Sequence, residues 1–228
     1  MFDDFKNSID FFIRNKTRFS RKNFVEKNKN LIERNALENE YTKDVLSQFF
    51  KKNQKENLKI LDIGSKNWFY AKGEYEFFNL FSSDFFLTGV ELDAYRLYSN
   101  FYSRYEVAQY YIKDLKNTKY LVDDLLNIQG KFDYITWFLP FITITPLLFW
   151  GLPKKYFKPE KMLMHAYNLL SENGQMLIVN QGESEARIQK ELLEKLNINF
   201  VELGKIKSEF FEYKNERFGF LVEKHNCF

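Results

Sequence analysis

Three acids stand at the ends of three short apolar runs. Asp62 lies near the end of Leu58–Ile63, Glu91 closes Phe85–Glu91, and Asp123-Asp124 follow Tyr120–Val122. Runs of this length and composition, bounded by polar residues, read as buried strands. Gly64 ends the first run, where a turn must let the backbone pass under a ligand. In an open α/β sheet, ligands bind at the carboxyl ends of the strands, where the strand order reverses. Asp62, Glu91 and Asp124 would then meet in one cleft. A carboxylate in a partly closed cleft is costly unless something compensates it. A ligand carrying an ammonium group, a ribose diol and an exocyclic amine would compensate all three. One acid after a strand is commonplace; three in register are more specific.

The elements that must position these acids follow from hydrophobic periodicity. Phe2, Phe5, Ile9 and Phe12 recur at the spacing of one helical face, and a second helix is predicted over Tyr41–Lys52. Helices are further predicted over about Gly73–Phe81, over Ala94–Ile112, from Pro159 to near Leu170, and over Glu183–Leu196. Further strands are predicted at Phe132–Phe138 and Gln175–Asn180, the latter after an Asn173-Gly174 turn. Phe200–Leu203 and Arg217–Glu223 are expected to pair as a C-terminal antiparallel hairpin. Alternation of strand and helix implies a mostly parallel sheet covered on both faces.

Composition narrows the class. The 228 residues suffice for one large domain with an appendage. Mean hydropathy is −0.46, and no stretch approaches the roughly 20 apolar residues of a membrane-spanning helix. The opening Met1-Phe-Asp-Asp-Phe-Lys6 lacks a signal peptide's order of charge and then apolar residues. The single Cys227 allows no internal disulfide, so a reducing, cytoplasmic setting is expected. With only His165 and His225 besides, no metal site is implied. Residues 1–60 hold 14 Lys or Arg against 9 Asp or Glu, and seven of those bases fall between Arg14 and Lys29. Such a run is usually a solvated helix face; contact with nucleic acid or an anionic surface is the alternative, and no nucleic-acid motif accompanies it.

Taken together, these segments resemble the class I S-adenosylmethionine-dependent methyltransferases. Leu61-Asp-Ile-Gly64 is similar to the start of their first motif, and Gly89-Val-Glu91 to the second. Val122-Asp-Asp124 resembles the third, usually Gly-Asp, and Phe132-Asp-Tyr-Ile135 the fourth strand. Leu169–Gly174 running into Gln175-Met-Leu-Ile178 is similar to the passage into the fifth. The resemblance covers roughly residues 58–223. It implies a Rossmann-like, doubly wound, seven-stranded sheet over 58–228, preceded by an N-terminal helical cap over 1–57.

The resemblance also implies residue roles. Gly64 and Ser65 would form the turn under the methionine part of S-adenosyl-L-methionine, with Asp62 facing its ammonium directly or through water. Glu91 would accept the ribose hydroxyls. Asp124 and the Leu125 backbone would read the adenine, and Trp137 and Phe138 would wall the site near the methyl.

Two features depart from the family pattern. The first loop reads Gly64-Ser-Lys-Asn-Trp68 where the family writes Gly-x-Gly-x-Gly. The same departure argues against a nicotinamide dehydrogenase, whose second glycine lets the backbone touch a pyrophosphate. The fourth strand is followed by the apolar, proline-broken stretch Trp137–Pro153 rather than Asn-Pro-Pro-Tyr. That stretch is either a lid over an apolar acceptor or a buried connection. On the acceptor side, Asn180, Gln181 and Glu183 follow the fifth strand, with Glu183 as a candidate base. The expectation is a methyltransferase with a small-molecule acceptor. The alternatives are a non-catalytic module using the basic N-terminal segment for a partner, and a non-methyl transferase on the same fold.

Overall fold

β1 (Leu58–Ile63) sits at the centre of the sheet, flanked by β2 (Phe85–Glu91) and β4 (Phe132–Phe138), both parallel to it. The computed structural model describes residues 29–53, 55–98 and 101–224. The expected helix bearing Phe2, Phe5, Ile9 and Phe12, and all of the basic run but Lys29, lie outside the described residues. Seven strands form one sheet in the order β3-β2-β1-β4-β5-β7-β6, with β3 at Thr118–Val122, β5 at Leu170–Gln181, β6 at Phe200–Ile206 and β7 at Arg217–Glu223. β1 to β5 run parallel; β7 lies antiparallel between β5 and β6. The order therefore reverses between β1 and β4.

The helices are α1 (Lys29–Phe49), α2 (Ala71–Phe81), α3 (Arg104–Ile112), α4 (Ile144–Phe149), α5 (Pro159–Leu169) and α6 (Gly182–Lys195). Along β1, side chains alternate between faces. Leu58 and Ile60 pack into an aromatic-rich layer with Val45, Leu46, Phe77, Phe78 and Tyr134. Leu61 and Ile63 pack on the other face with Ile135, Leu163, Ile178 and Leu193. α1 lies against α2, pinned where Asn39 accepts the Gly73 N–H at 2.7 Å and donates to the Phe69 carbonyl at 3.1 Å.

Two predicted helices differ from those observed. The helix expected over Tyr41–Lys52 is the end of α1, which stops at Phe49. The helix expected over Ala94–Ile112 begins only at Arg104. Ser103 caps it, accepting the Glu106 N–H while the Glu106 carboxylate takes the Ser103 N–H, a capping box. Before it, residues 92–95 form a turn, and Leu97 pairs with Ser103 as an isolated bridge. The apolar stripe there ran past a start signal that Ser103-x-x-Glu106 already carried.

Candidate functional site

Strand register sets which residues reach the sheet's carboxyl edge. Ile63 pairs with Val90 and with Trp137, and Glu91 with Val122. The edge is therefore formed by Gly64, Glu91, Asp123 and Phe138. It opens on a cavity of about 1070 Å³ lined by Gly64, Lys66, Asn67, Glu91, Asp123, Asp124, Leu125, Trp137, Phe138 and Gln181. The opposite wall comes from Arg34, Glu38 and Tyr41 of α1, the segment 138–152, and Tyr213 and Arg217 near β7.

The first loop keeps a glycine-like backbone without the later glycines. Gly64 turns at φ 74°, and Lys66 and Trp68 are also left-handed, at φ 54° and 45°. Such φ values cost side-chain-bearing residues roughly 1 kcal/mol or more apiece, so the surroundings must hold them. The Glu91 carboxylate holds Lys66, accepting its N–H at 2.9 Å, and the Tyr120 hydroxyl donates to the Lys66 carbonyl. Trp68 is fully buried, and its indole N–H donates to Glu74 at 2.8 Å. Its ring lies over Gly89, where a Cβ would meet it at 2.8 Å and the Ser65 hydroxyl at 2.6 Å. Gly89 thus makes room for Trp68.

Glu91 reaches the cavity, as do Asp123 and Asp124. Besides Lys66 it accepts the Asp93 N–H at 2.7 Å, and the buried Arg104 guanidinium stands 3.8 Å away. Arg104 also bridges to Asp93 at 3.2 Å and lies under the Trp150 ring, 4.5 Å from its centroid. Lys66 approaches the same ring at 4.9 Å. Burial, reinforced by Arg104, pushes the Lys66 ammonium below its ordinary value. Trp150 follows α4, so the end of the apolar segment is clasped beside Glu91. The segment forms part of the cavity wall, with Leu147 buried and Phe149 exposed.

Asp124 and Leu125 line the cavity next to Glu91. The Asp124 carboxylate accepts the Leu126 N–H at 3.0 Å and caps the short 3-10 turn Leu125–Asn127. Trp137 is buried and Phe138 half-buried; both line the cavity, and Phe138 meets Tyr70 edge-on at 5.4 Å.

Asp62 and Ser65 are placed elsewhere than expected. Asp62 pairs with Gly89 and Thr136, two positions inside the sheet edge, and is fully buried under the loop. Its oxygens accept the Tyr70 hydroxyl and the Thr136 hydroxyl, each at 2.9 Å, and it is absent from the cavity wall. Ser65 is fully buried too, donating to the Asp62 carbonyl at 3.1 Å.

The acceptor-side expectations divide. Gln181 lines the cavity, whereas Asn180 is fully buried off it, both its amide atoms without a partner, and Glu183 is exposed on α6. A β-strand turns alternate residues away from one another, so Asn180 faces the core when Gln181 faces the cavity. Glu185, two residues on, lines the cavity where Glu183 was expected and accepts the Gln181 N–H at 3.2 Å. Arg217 donates to the Asn215 carbonyl at 2.9 Å and stacks on Tyr213, 4.3 Å from its centroid. Glu38 is buried at the wall and accepts from Arg34 at 3.2 Å; burial, opposed by Arg34, pushes its carboxyl up. The hydroxyl of neighbouring Tyr41 is buried with no partner, and burial pushes it up to about 12. Glu38 and Tyr41 are a helical i, i+3 pair on an inward face, the one trace of them in the sequence. His165, mid-helix, hydrogen-bonds the Ile128 carbonyl at 3.0 Å, away from this edge.

A strand order of 3-2-1-4-5-7-6, with the cavity at the carboxyl edge and an acid closing β2, decides the fold. It is that of the class I S-adenosylmethionine-dependent methyltransferases. The chain is similar over 80% of its length to 88% of an S-adenosylmethionine-dependent methyltransferase from Aquifex aeolicus, at 15% identity and a TM-score of 0.56. Over 90% of its length it is similar to 92% of a methyltransferase described as S-adenosylmethionine-dependent from Methanococcus maripaludis, at 14% identity and a TM-score of 0.57. It is also similar over 90% of its length to 86% of the magnesium protoporphyrin IX methyltransferase of Synechocystis, solved with bound S-adenosylmethionine, at 11% identity and a TM-score of 0.51. No protein-family model and no curated protein sequence matches the chain.

Within this methyltransferase fold the residues at the cavity suit the cofactor. Glu91 offers oxygens beside the switch point, Gly64 leaves open space where a Cβ would stand, and the buried Asn67 amide oxygen has no partner. Among the described residues no helix is long and apolar enough to cross a membrane, and no cluster could hold a metal ion.

Proposed function

We propose that this chain is a cytoplasmic S-adenosylmethionine-dependent methyltransferase acting on a small-molecule acceptor. The observation that carries the reading is Glu91. It stands at the carboxyl end of β2, in the cavity; one of its oxygens holds the first loop at Lys66 and the other holds the turn after β2 at Asp93. In this reading Glu91 accepts the ribose hydroxyls, Asp124 and the Leu125 backbone face the adenine, and Asn67 and the Gly64 turn face the methionine part. Asp62 acts from below by holding the turn rather than by touching the ligand.

S-adenosylmethionine, when bound, supplies a sulfonium methyl already activated for in-line displacement. The protein's task is to align an acceptor and exclude water. The ring walls of Tyr70, Phe138, Trp137 and Phe141 exclude water and favour an apolar or aromatic acceptor. Glu38 is the carboxylate best suited to take the proton an acceptor hydroxyl or amine releases, because burial raises its basicity and Tyr41 beside it offers an unused hydroxyl. The cavity is larger than one drug-sized ligand needs, which suits cofactor and acceptor together.

Calorimetric titration with S-adenosylmethionine and S-adenosylhomocysteine tests this reading. Binding in the micromolar range supports it and licenses an acceptor screen with methyl-labelled cofactor. Absence of binding by the folded protein would favour a partner-binding module that retains only the fold.

A further inference from the structure

The feature the reading leaves unused is a pair of carboxyl groups sealed under the first loop. Asp62 of β1 and Glu74 of α2 are both fully buried. The Thr136 hydroxyl oxygen stands between them, 2.9 Å from Asp62 Oδ1 and 2.7 Å from Glu74 Oε1. A hydroxyl has one proton to donate. It can serve one carboxylate, and the second oxygen at that distance must itself bring a proton. Two ionised carboxylates around one hydroxyl, out of water, would also repel each other at large cost. The remaining contacts assign the proton. Asp62 Oδ2 accepts from the Tyr70 hydroxyl at 2.9 Å and Asp62 Oδ1 from Thr136, the pattern of a carboxylate. Glu74 Oε2 accepts the Trp68 indole N–H at 2.8 Å, leaving Oε1 as the protonated oxygen that donates to Thr136.

We infer that Glu74 is a neutral carboxylic acid sharing one proton with Asp62 across Thr136, and that this chain locks Trp68, and with it the glycine-poor first loop, in a cofactor-accepting shape. Glu74 is thus a positioning residue, acting on the cavity through Trp68 and Lys66. The row Gly89–Asp62–Thr136 lies level across β2, β1 and β4, so the Trp68 ring over Gly89 and the Glu74 carboxyl beside Thr136 rest on one floor. Trp68 and Lys66, both left-handed, occupy loop positions where glycine is at ease; the indole-to-Glu74 bond supplies the restraint that the backbone itself lacks. Burial, followed by the Asp62 charge, pushes the Glu74 carboxyl well above its ordinary value, while the Thr136 and Trp68 bonds oppose it. Burial also pushes Asp62 up, to about 6, with Ser65, Tyr70 and Thr136 opposing and Glu91 adding. Both directions agree with one retained proton at neutral pH.

The inference rests on the reading that this loop receives S-adenosylmethionine, and two substitutions separate the two ideas. In Glu74→Gln the amide N–H replaces the acid O–H toward Thr136, and the amide oxygen still accepts from Trp68. In Glu74→Leu both bonds are lost while the volume is kept. Two readouts apply, the indole N–H resonance of Trp68, assigned with Trp68→Phe, and the Kd for S-adenosylhomocysteine. We expect E74Q to keep the resonance and bind within threefold of wild type. We expect E74L to shift the resonance and bind at least tenfold more weakly. Should E74L fail to fold, Thr136→Val removes the bridge alone and is expected to move the same resonance and weaken binding likewise. An E74Q protein with a displaced Trp68 resonance, or tenfold weaker binding, would show that the charge and not the proton is needed and would overturn the inference. If wild type binds no S-adenosylhomocysteine, the cofactor reading fails, and the resonances alone still decide whether Glu74 is neutral.

Discussion

Replacing Glu91 with glutamine removes one charge at the point that holds the first loop and that the proposed reading gives to the ribose. In the wild type, one carboxylate oxygen accepts the Lys66 N–H at 2.9 Å and the other the Asp93 N–H at 2.7 Å. A glutamine keeps one acceptor and turns an NH2 group toward the other N–H. Hydrogen bonds to a charged acceptor contribute about 1.5–3 kcal/mol each, so the loop loses about that much at one contact. The ribose hydroxyls would likewise meet one neutral oxygen instead of two charged ones. Part of the loop's loss is recovered by water at the open cavity, and Arg104 keeps Asp93 at 3.2 Å. A net loss of about 2–3 kcal/mol in binding follows, or roughly 30- to 150-fold in Kd. Calorimetry with S-adenosylhomocysteine reads the Kd, and thermal unfolding of the same samples shows that the variant is folded. Affinity within threefold of wild type, in a folded E91Q protein, would refute the assignment of Glu91 to the ribose.

Other perturbations probe other parts of the molecule. Asp133 is buried at the opposite end of β4, where its carboxylate takes Lys55 at 2.8 Å, the Lys59 N–H at 2.8 Å and the Ser171 hydroxyl at 2.8 Å. Asp133→Ala should cost about 2–4 kcal/mol in urea unfolding by orphaning these donors, yet leave S-adenosylhomocysteine affinity unchanged. Because the folded state raises the Asp62 carboxyl from 3.8 to about 6, chiefly by burial, the protonated form is the one folding favours. Its contribution is complete below about pH 4 and is lost as pH rises through about 6. Wild type should lose stability relative to Asp62→Asn between pH 4 and pH 7; parallel unfolding curves across that range would contradict this. Trp150→Ala removes two cation–π contacts, with Arg104 at 4.5 Å and Lys66 at 4.9 Å. At about 0.5–2 kcal/mol each, their loss should lower stability in urea unfolding by about 1–4 kcal/mol; unchanged stability would show that the ring does not hold these cations.

Much of the sheet could be read in advance because apolar runs bounded by polar residues require burial wherever they lie. Phe85–Glu91, Phe132–Phe138 and Arg217–Glu223 are observed at their expected bounds. The resemblance of the ordered strand ends pointed to the same fold that the strand order and the similar structures show. The start of α3 was misplaced because a stripe of aromatics at helical spacing also suits a turn packed on a sheet edge. The capping box at Ser103 was the better guide.

The site divides along the same line. From Glu91, Asp124 and Gly64, sequence alone could locate the sheet edge on which a ligand would sit, since each closes a strand and a strand end is a local property. It could not tell that Asp62 stops two register positions short of that edge, because pairing with Gly89 and Thr136 is decided between strands. Nor could it tell that Lys66 and Trp68 take a glycine-like backbone. That depends on Gly89 leaving space for an indole and on Glu74, carried by a different element, receiving its N–H. Glu38, Tyr41, Glu185 and Arg217 come from both ends of the chain, and their meeting is set by how α1, α6 and β7 pack against the finished sheet. Sequence determined which segments would be buried strands and which acids would end them. Tertiary packing alone decided which acid lines the cavity and which is sealed beneath it, because burial of a charge depends on neighbours that come from distant parts of the chain.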